Sequence, residues 1–203
     1  MTDQTRPAVS IDDIRVAATR IAPYAVRTPL VESPLLNERL GFRLLVKAEC
    51  LQHTGSFKLR GATNTVMSLP DSVTDVVAWS SGNHAQAVAR AAALRGIRAA
   101  IVMPEDAPVM KIEGTKAYGA EVVTYDRYSE NREEIGGAIA AERGAELIPP
   151  CEDVRVIAGQ GTIGLEIAAQ CRETGAVPDH VVSCCGGGGL IAGTSLAIRH
   201  DLP

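Results

Sequence analysis

Apolar and polar positions along the chain switch between two spacings, and that switching predicts an α/β protein with a parallel sheet. Short β-branched runs alternate with stretches in which apolar residues recur every three or four positions. Ser10 with Asp13 reads as a capping box that opens a helix through about Ile21. Residues 42–49 alternate like a strand, and 58–69 pattern as a helix stopped by Pro70. A dense series follows. Strand 73–80 leads to helix 84–95, with Asn83 as N-cap and Gly96 just past its end. Strand 97–103, helix 109–118, strand 120–124, helix 129–143 and a short strand 146–148 complete it, with Gly119 and Gly144 ending the two helices.

Four strands and three helices within residues 73–148 predict a compact doubly wound unit, which Pro149-Pro150 closes. After it come a helix from Gly161 or Thr162 to Cys171, a buried-type strand over 181–185 and a helix over 190–199. Outside the compact unit only 42–49 and 181–185 read as strands. Two strands are too few for a parallel sheet that must be covered on both faces, so the rest reads as an incomplete second domain.

Composition narrows the function. Of 203 residues, 20 are Lys or Arg and 24 are Asp or Glu, a net charge of −4, and only 3% are aromatic. Neither a basic stripe nor a stacking platform is present, so no nucleic-acid partner is expected. No apolar run approaches the ~20 residues of a membrane span, and the polar start with Asp3, Arg6 and Pro7 is unlike a secretory signal. Five cysteines without a C-x-x-C pair and four scattered histidines argue against a disulfide framework or a metal cluster. The simplest expectation is a cytoplasmic protein with reduced thiols.

Three stretches carry candidate chemistry. Val181-Val182-Ser183-Cys184-Cys185 runs into Gly186-Gly187-Gly188-Gly189-Leu190. A strand, a glycine loop and a helix start make a cradle whose backbone N–H groups and helix dipole suit a phosphate; the alternative is a plain tight turn. Gly187, Gly189 and Ala192 also satisfy a weak dinucleotide pattern, but its acidic partner would fall past Pro203. In Thr54-Gly55-Ser56-Phe57-Lys58-Leu59-Arg60-Gly61-Ala62, Lys58 opens a helix. The dipole's positive end opposes a second positive charge there and favours the neutral amine that condensation with a carbonyl requires. The alternative is a solvated surface lysine. Phe57 reads either as core or as cover for a flat cofactor. Ser80-Ser81-Gly82-Asn83-His84 sits between a strand's end and a helix start, where open α/β sheets bind ligands. It suits a small carboxylate, or simply N-capping by Ser81 or Asn83.

Taken in order, these stretches resemble the pyridoxal-phosphate enzymes of the tryptophan-synthase-β fold type, within them the serine/threonine dehydratase and serine racemase family. Thr28-Pro29-Leu30, Met103-Pro104 before Pro108 and Lys111, Gly119-Ala120-Glu121-Val122 and Ile157-Ala158-Gly159-Gln160-Gly161-Thr162 add to the likeness. The resemblance implies two doubly wound domains. Residues 1–72 and 150–203 would belong to a larger cofactor-binding domain, and 73–149 would form the smaller one. It implies pyridoxal 5′-phosphate as cofactor, with Lys58 holding it covalently and shuttling the Cα proton. Phe57 would pack beside the pyridine ring, Asn83 would bond its ring oxygen, and Gly186, Gly187, Gly188, Gly189 and Leu190 would hold its phosphate. Ser80, Ser81, Gly82, Asn83 and His84 would surround the substrate carboxylate, with Ser81 as a second acid/base on the opposite face.

The implied activity is an ammonia-lyase acting on a small β-hydroxy amino acid (threonine, serine or 3-hydroxyaspartate) in a homodimer. The alternatives are an amino-acid racemase, an inactive binding fragment and, on the dinucleotide pattern alone, a nicotinamide-dependent oxidoreductase. Cys151-Glu152-Asp153 departs from the family, whose members usually have an aromatic first. So does the chain's length, since members continue more than a hundred residues past the glycine loop.

Overall fold

The computed structural model describes residues 9–202; positions 1–8, which carry most of the polar start, lie outside them. Helix α1 (Ile11–Ile21) opens on the predicted capping box. The Asp13 N–H donates to Ser10 Oγ at 3.2 Å, and the Ser10 N–H donates to the Asp13 carboxylate at 2.8 Å, so two orphan donors are satisfied reciprocally. Strand β1 (Leu30–Glu32), helix α2 (Pro34–Leu40) and strand β2 (Leu45–Lys47) follow, and Leu30 pairs opposite Lys47 in an antiparallel two-stranded sheet. Two short 3₁₀ turns lead into α3 (Lys58–Met67).

The central unit comprises β3 (Asp75–Trp79), α4 (Asn83–Arg95), β4 (Arg98–Pro104), α5 (Val109–Ala117), β5 (Glu121–Tyr125), α6 (Arg132–Arg143) and β6 (Glu146–Leu147). Its four strands are parallel in the order β5-β4-β3-β6, the predicted doubly wound arrangement. Strands in such a sheet are covered on both faces, which is why they read as unbroken apolar runs. Val76, Ala78, Ile101 and Met103 pack with Val88 and Ala89 of α4 and with Val66 of α3. Val77 and Ala100 face the other way, onto Ala140 of α6. Each buried Val or Ile contributes about 1.5–3 kcal/mol.

Helices α7 (Val154–Thr174) and α8 (Gly189–Asp201) complete the chain. A Cβ on Gly159 would stand 2.6 Å from the Gly61 Cα, and one on Gly164 would stand 2.6 Å from the Thr194 carbonyl oxygen. Glycine at these positions lets α7 lie directly on α3 and α8.

Several expectations need correction. Residues 181–185 form no strand: Val182 is 93% exposed, and no strand among the described residues lies beside it to complete a ladder. The strand expected over 42–49 is three residues long and pairs antiparallel with β1, so it belongs to no parallel sheet. Helix α7 begins at Val154, because Asp153 caps it by accepting the Arg155 N–H at 2.7 Å. Helix α6 begins at Arg132 for the same reason, with Asn131 as its cap. Gly82, not Asn83, is the N-cap of α4, and no side chain caps that helix.

Candidate active site

Lys58 is the first residue of α3, and no side chain caps that helix either. Backbone alone holds this helix start, the Leu59 N–H donating to the Ser56 carbonyl oxygen at 3.4 Å and the Arg60 N–H to that of Phe57 at 3.0 Å, and the positive end of the helix dipole lies beside the amine. The Lys58 side chain is half-buried, and burial holds its amine below the ordinary lysine range, with the neighbouring Cys151 pulling the other way. Its Nζ donates to the Pro150 carbonyl oxygen at 2.6 Å and lies 5.5 Å from the centroid of the Phe57 ring. Beside it, Ser56 is buried and its Oγ has no hydrogen-bond partner.

The Ser80–His84 loop follows β3 at the carboxyl end of the sheet. Ser80 Oγ accepts the Gly82 N–H at 3.2 Å, which folds the loop over the start of α4. Ser81 and Asn83 are exposed, and Gly82 and His84 are buried. A Cβ on Gly82 would stand 2.7 Å from Lys111 Nζ, so the lysine side chain lies across this glycine. Burial pushes the His84 imidazole down to about 4, so it is neutral near pH 7. The neutral ring donates from Nε2 to the Ile148 carbonyl oxygen at 3.0 Å, leaving Nδ1 as a buried acceptor with no partner.

Gly188, with φ of 87°, is the N-cap of α8 and occupies a conformation that favours glycine. A Cβ on Gly187 would strike Cys151 Sγ, and one on Gly189 would lie 2.5 Å from the Cys151 carbonyl oxygen. The backbone of the loop is thus pressed onto residue 151.

These contacts converge on one segment. Residues 148–151, a strap running from the end of β6 toward α7, receive His84 at the Ile148 carbonyl and Lys58 at the Pro150 carbonyl. The same strap presents Cys151 to Gly187 and Gly189. The three stretches singled out in the sequence therefore meet across a shared strap. Ser81 and Asn83 are exposed and make no hydrogen bond to it, and Leu190 is half-buried in the first turn of α8. Sequence reasoning missed the strap because two of its three functional groups are backbone carbonyls; its signals were the proline pair and the departure at Cys151.

The chain matches the family described as "Pyridoxal-phosphate dependent enzyme" over residues 21–203. It is 47% identical over 193 residues to the L-threo-3-hydroxyaspartate ammonia-lyase of Saccharomyces cerevisiae, covering 94% of this chain and 58% of that protein. It is 41% identical to the serine racemase of Schizosaccharomyces pombe, covering 95% of this chain and 59% of that protein. Among solved structures, a threonine deaminase from T.th. superposes with a TM-score of 0.90 at 50% identity, over 94% of this chain and 61% of that one. Maize serine racemase gives 0.89 at 42% identity, over 97% and 60%. The chain thus spans about three fifths of the length of these relatives. A desolvated lysine at a helix start, a glycine loop folded against the same strap and a family match over nearly the whole chain have one common reading: this chain belongs to the pyridoxal-phosphate dependent enzymes.

Proposed function

We propose that this chain carries the lysine and phosphate-loop portion of an ammonia-lyase that converts a small β-hydroxy amino acid to a 2-oxo acid and ammonia. The observation that carries the reading is Lys58, a desolvated amine at an uncapped helix start, on the same strap as a four-glycine loop.

The residues present fit pyridoxal 5′-phosphate. Gly186, Gly187, Gly188 and Gly189 leave a backbone cradle with no Cβ in it, and the uncapped start of α8 offers its N–H groups to a phosphate. The unpartnered Ser56 Oγ and His84 Nδ1 are polar atoms that a bound group can satisfy. When bound, the cofactor supplies an electrophilic carbonyl carbon and a sink for the electron pair left at Cα.

The chain's own residues do the rest. Lys58, held below the usual lysine range, would hold the cofactor through its amine and, once the substrate's own amine has displaced it, would be free to take the substrate's Cα proton at Nζ. Phe57 lies beside that amine, positioned to cover one face of the ring. Asn83 would bond the ring oxygen, and the Ser80–His84 loop would receive the substrate carboxylate at the start of α4, which no side chain caps. Ser81, exposed toward solvent, serves as acid/base on the face opposite Lys58. Residues 73–149 act as the smaller domain, and the working assembly is a cytoplasmic homodimer. Among the described residues no helix is long and apolar enough to cross a membrane.

The test is intact-mass and peptide mapping after incubation with pyridoxal 5′-phosphate and borohydride reduction. A reduced pyridoxyl group on Lys58, absent in Lys58→Ala, is the expected result; an unlabelled Lys58 refutes the reading. Ammonia release from threonine, serine and threo-3-hydroxyaspartate then identifies the substrate. Chiral analysis of recovered serine separates a lyase from a racemase, and any racemisation should vanish in Ser81→Ala.

A further inference from the structure

Two residues past Lys58 lies the most deeply buried cation of the described chain. The Arg60 side chain is 1% exposed, yet every guanidinium N–H has a partner. Nε and Nη2 grip Glu49, each at 2.8 Å, while Nη1 and Nη2 grip Glu166 at 2.7 and 2.9 Å. Nη1 also reaches Thr162 Oγ1 and Nη2 the Val26 carbonyl oxygen, both at 3.3 Å. Thr28 Oγ1 donates to Glu49 at 2.6 Å, and its carbonyl oxygen receives Lys47 Nζ at 2.7 Å; Lys47 in turn pairs with Glu166 at 2.5 Å. Two cations and two carboxylates cancel.

Three stretches that the proposed chemistry leaves unused meet here: Thr28 beside Pro29, Arg60 in the Lys58 stretch, and Thr162 at the end of the 157–162 stretch. Stability alone is a weak reason for such a cluster, because well-packed apolar residues commonly do as well as buried ion pairs. Geometry is the stronger reason. Two helical residues stand about 200° apart around the axis, so Arg60 holds α3 from behind while Lys58 faces the strap. That turn has no side-chain cap of its own to fix it.

We propose that Arg60 is a positioning residue for Lys58: by tying the first turn of α3 to Glu49 and Glu166 together, it sets where the lysine amine stands against the strap and the glycine loop. The inference rests on the reading of Lys58 as the cofactor's lysine. A planar fork between two carboxylates is something a compact ammonium cannot reproduce, so lysine is not an equivalent replacement.

The test uses the 203-residue chain as wild type, Arg60→Met, Arg60→Lys and Thr28→Val. Borohydride-fixed pyridoxyl on Lys58 is measured against cofactor concentration and pH, beside thermal unfolding by circular dichroism. Around the amine, Cys151 on the strap and His84 on α4 are unchanged in every variant.

Arg60→Met should raise the half-labelling concentration roughly tenfold to a hundredfold. It should also move the labelling midpoint to higher pH, since Glu49 and Glu166 then outweigh Lys47 and leave a net negative charge behind the amine. Arg60→Lys keeps a positive charge and should show the concentration effect with little pH shift. Thr28→Val keeps all four charges and should show a smaller concentration effect alone. If the variants that fold unfold at lower temperature but label Lys58 at wild-type concentration and pH, Arg60 is only structural and the inference fails. Should Arg60→Met not fold, the other two variants decide by the same comparison. A wild-type chain whose Lys58 takes no label overturns the proposed function instead, and this inference with it.

Discussion

Replacing His84 by glutamine isolates one buried titration. The imidazole is 3% exposed and its pKa falls from 6.5 to about 4, chiefly through burial, with the Lys58 charge adding to the effect and the Ile148 carbonyl opposing it. A depressed value means that the unfolded chain takes up the proton first. The stabilisation is therefore fully present above about pH 6.5 and is lost as pH falls toward 4. Evaluated between those two values, the loss at pH 4.5 is about 2–3 kcal/mol, from roughly 1.4 kcal/mol per pKa unit. Glutamine can keep the donor to Ile148 without titrating. Urea unfolding followed by circular dichroism at pH 7.0 and 4.5 should show the wild type losing about 2–3 kcal/mol more than His84→Gln. Parallel losses, or an NMR titration placing the His84 ring near 6.5, would refute the burial argument.

Glycine substitutions test the helix packing and the cradle. Gly159→Ala should destabilise by about 1–3 kcal/mol, since its Cβ would meet the α3 backbone at 2.6 Å; Gly137→Ala, with nothing within 4 Å on an open helix face, should stabilise by about 0.5–1 kcal/mol. Thermal unfolding distinguishes the two, at about 2–4 °C per kcal/mol, and equal shifts would contradict the packing account. Gly187→Ala should weaken cofactor capture by driving a Cβ into Cys151 Sγ. Adding Cys151→Ala should restore part of it, because that Cβ would be 3.1 Å from the Cys151 Cβ that remains; a double variant as weak as the single one would show that the thiol is not the obstacle.

Legibility in the sequence followed the range of the interaction. The capping box at Ser10 and the parallel unit were readable because a cap lies three residues from its partner and a doubly covered strand is apolar throughout. Residues 181–185 carry the same apolar signal and still form no strand, because a ladder needs a neighbour that local pattern cannot supply. At the site, Lys58, the Ser80–His84 loop and the glycines were visible as residue types with known chemistry. The groups that join them were not, because Ile148 and Pro150 act through carbonyl oxygens that every residue possesses. Nothing local marks the role of Arg60, because its partners lie 11 and 106 residues away.

The strap also imposes an order of assembly. It hangs from β6, a two-residue strand on the sheet's edge that registers only through Val76 opposite Glu146 and Val77 opposite Leu147. One further bond, from the Ile148 N–H to the Val77 carbonyl, extends that pairing to the strap's first residue. A slip of one position would reverse every group beyond it and turn the Ile148 and Pro150 carbonyls away from His84 and Lys58. The lysine, the loop after β3 and the glycines therefore cannot be brought into their mutual arrangement until the last strand of the sheet has docked in register. Competence to hold a ligand consequently depends on the shortest strand among the described residues.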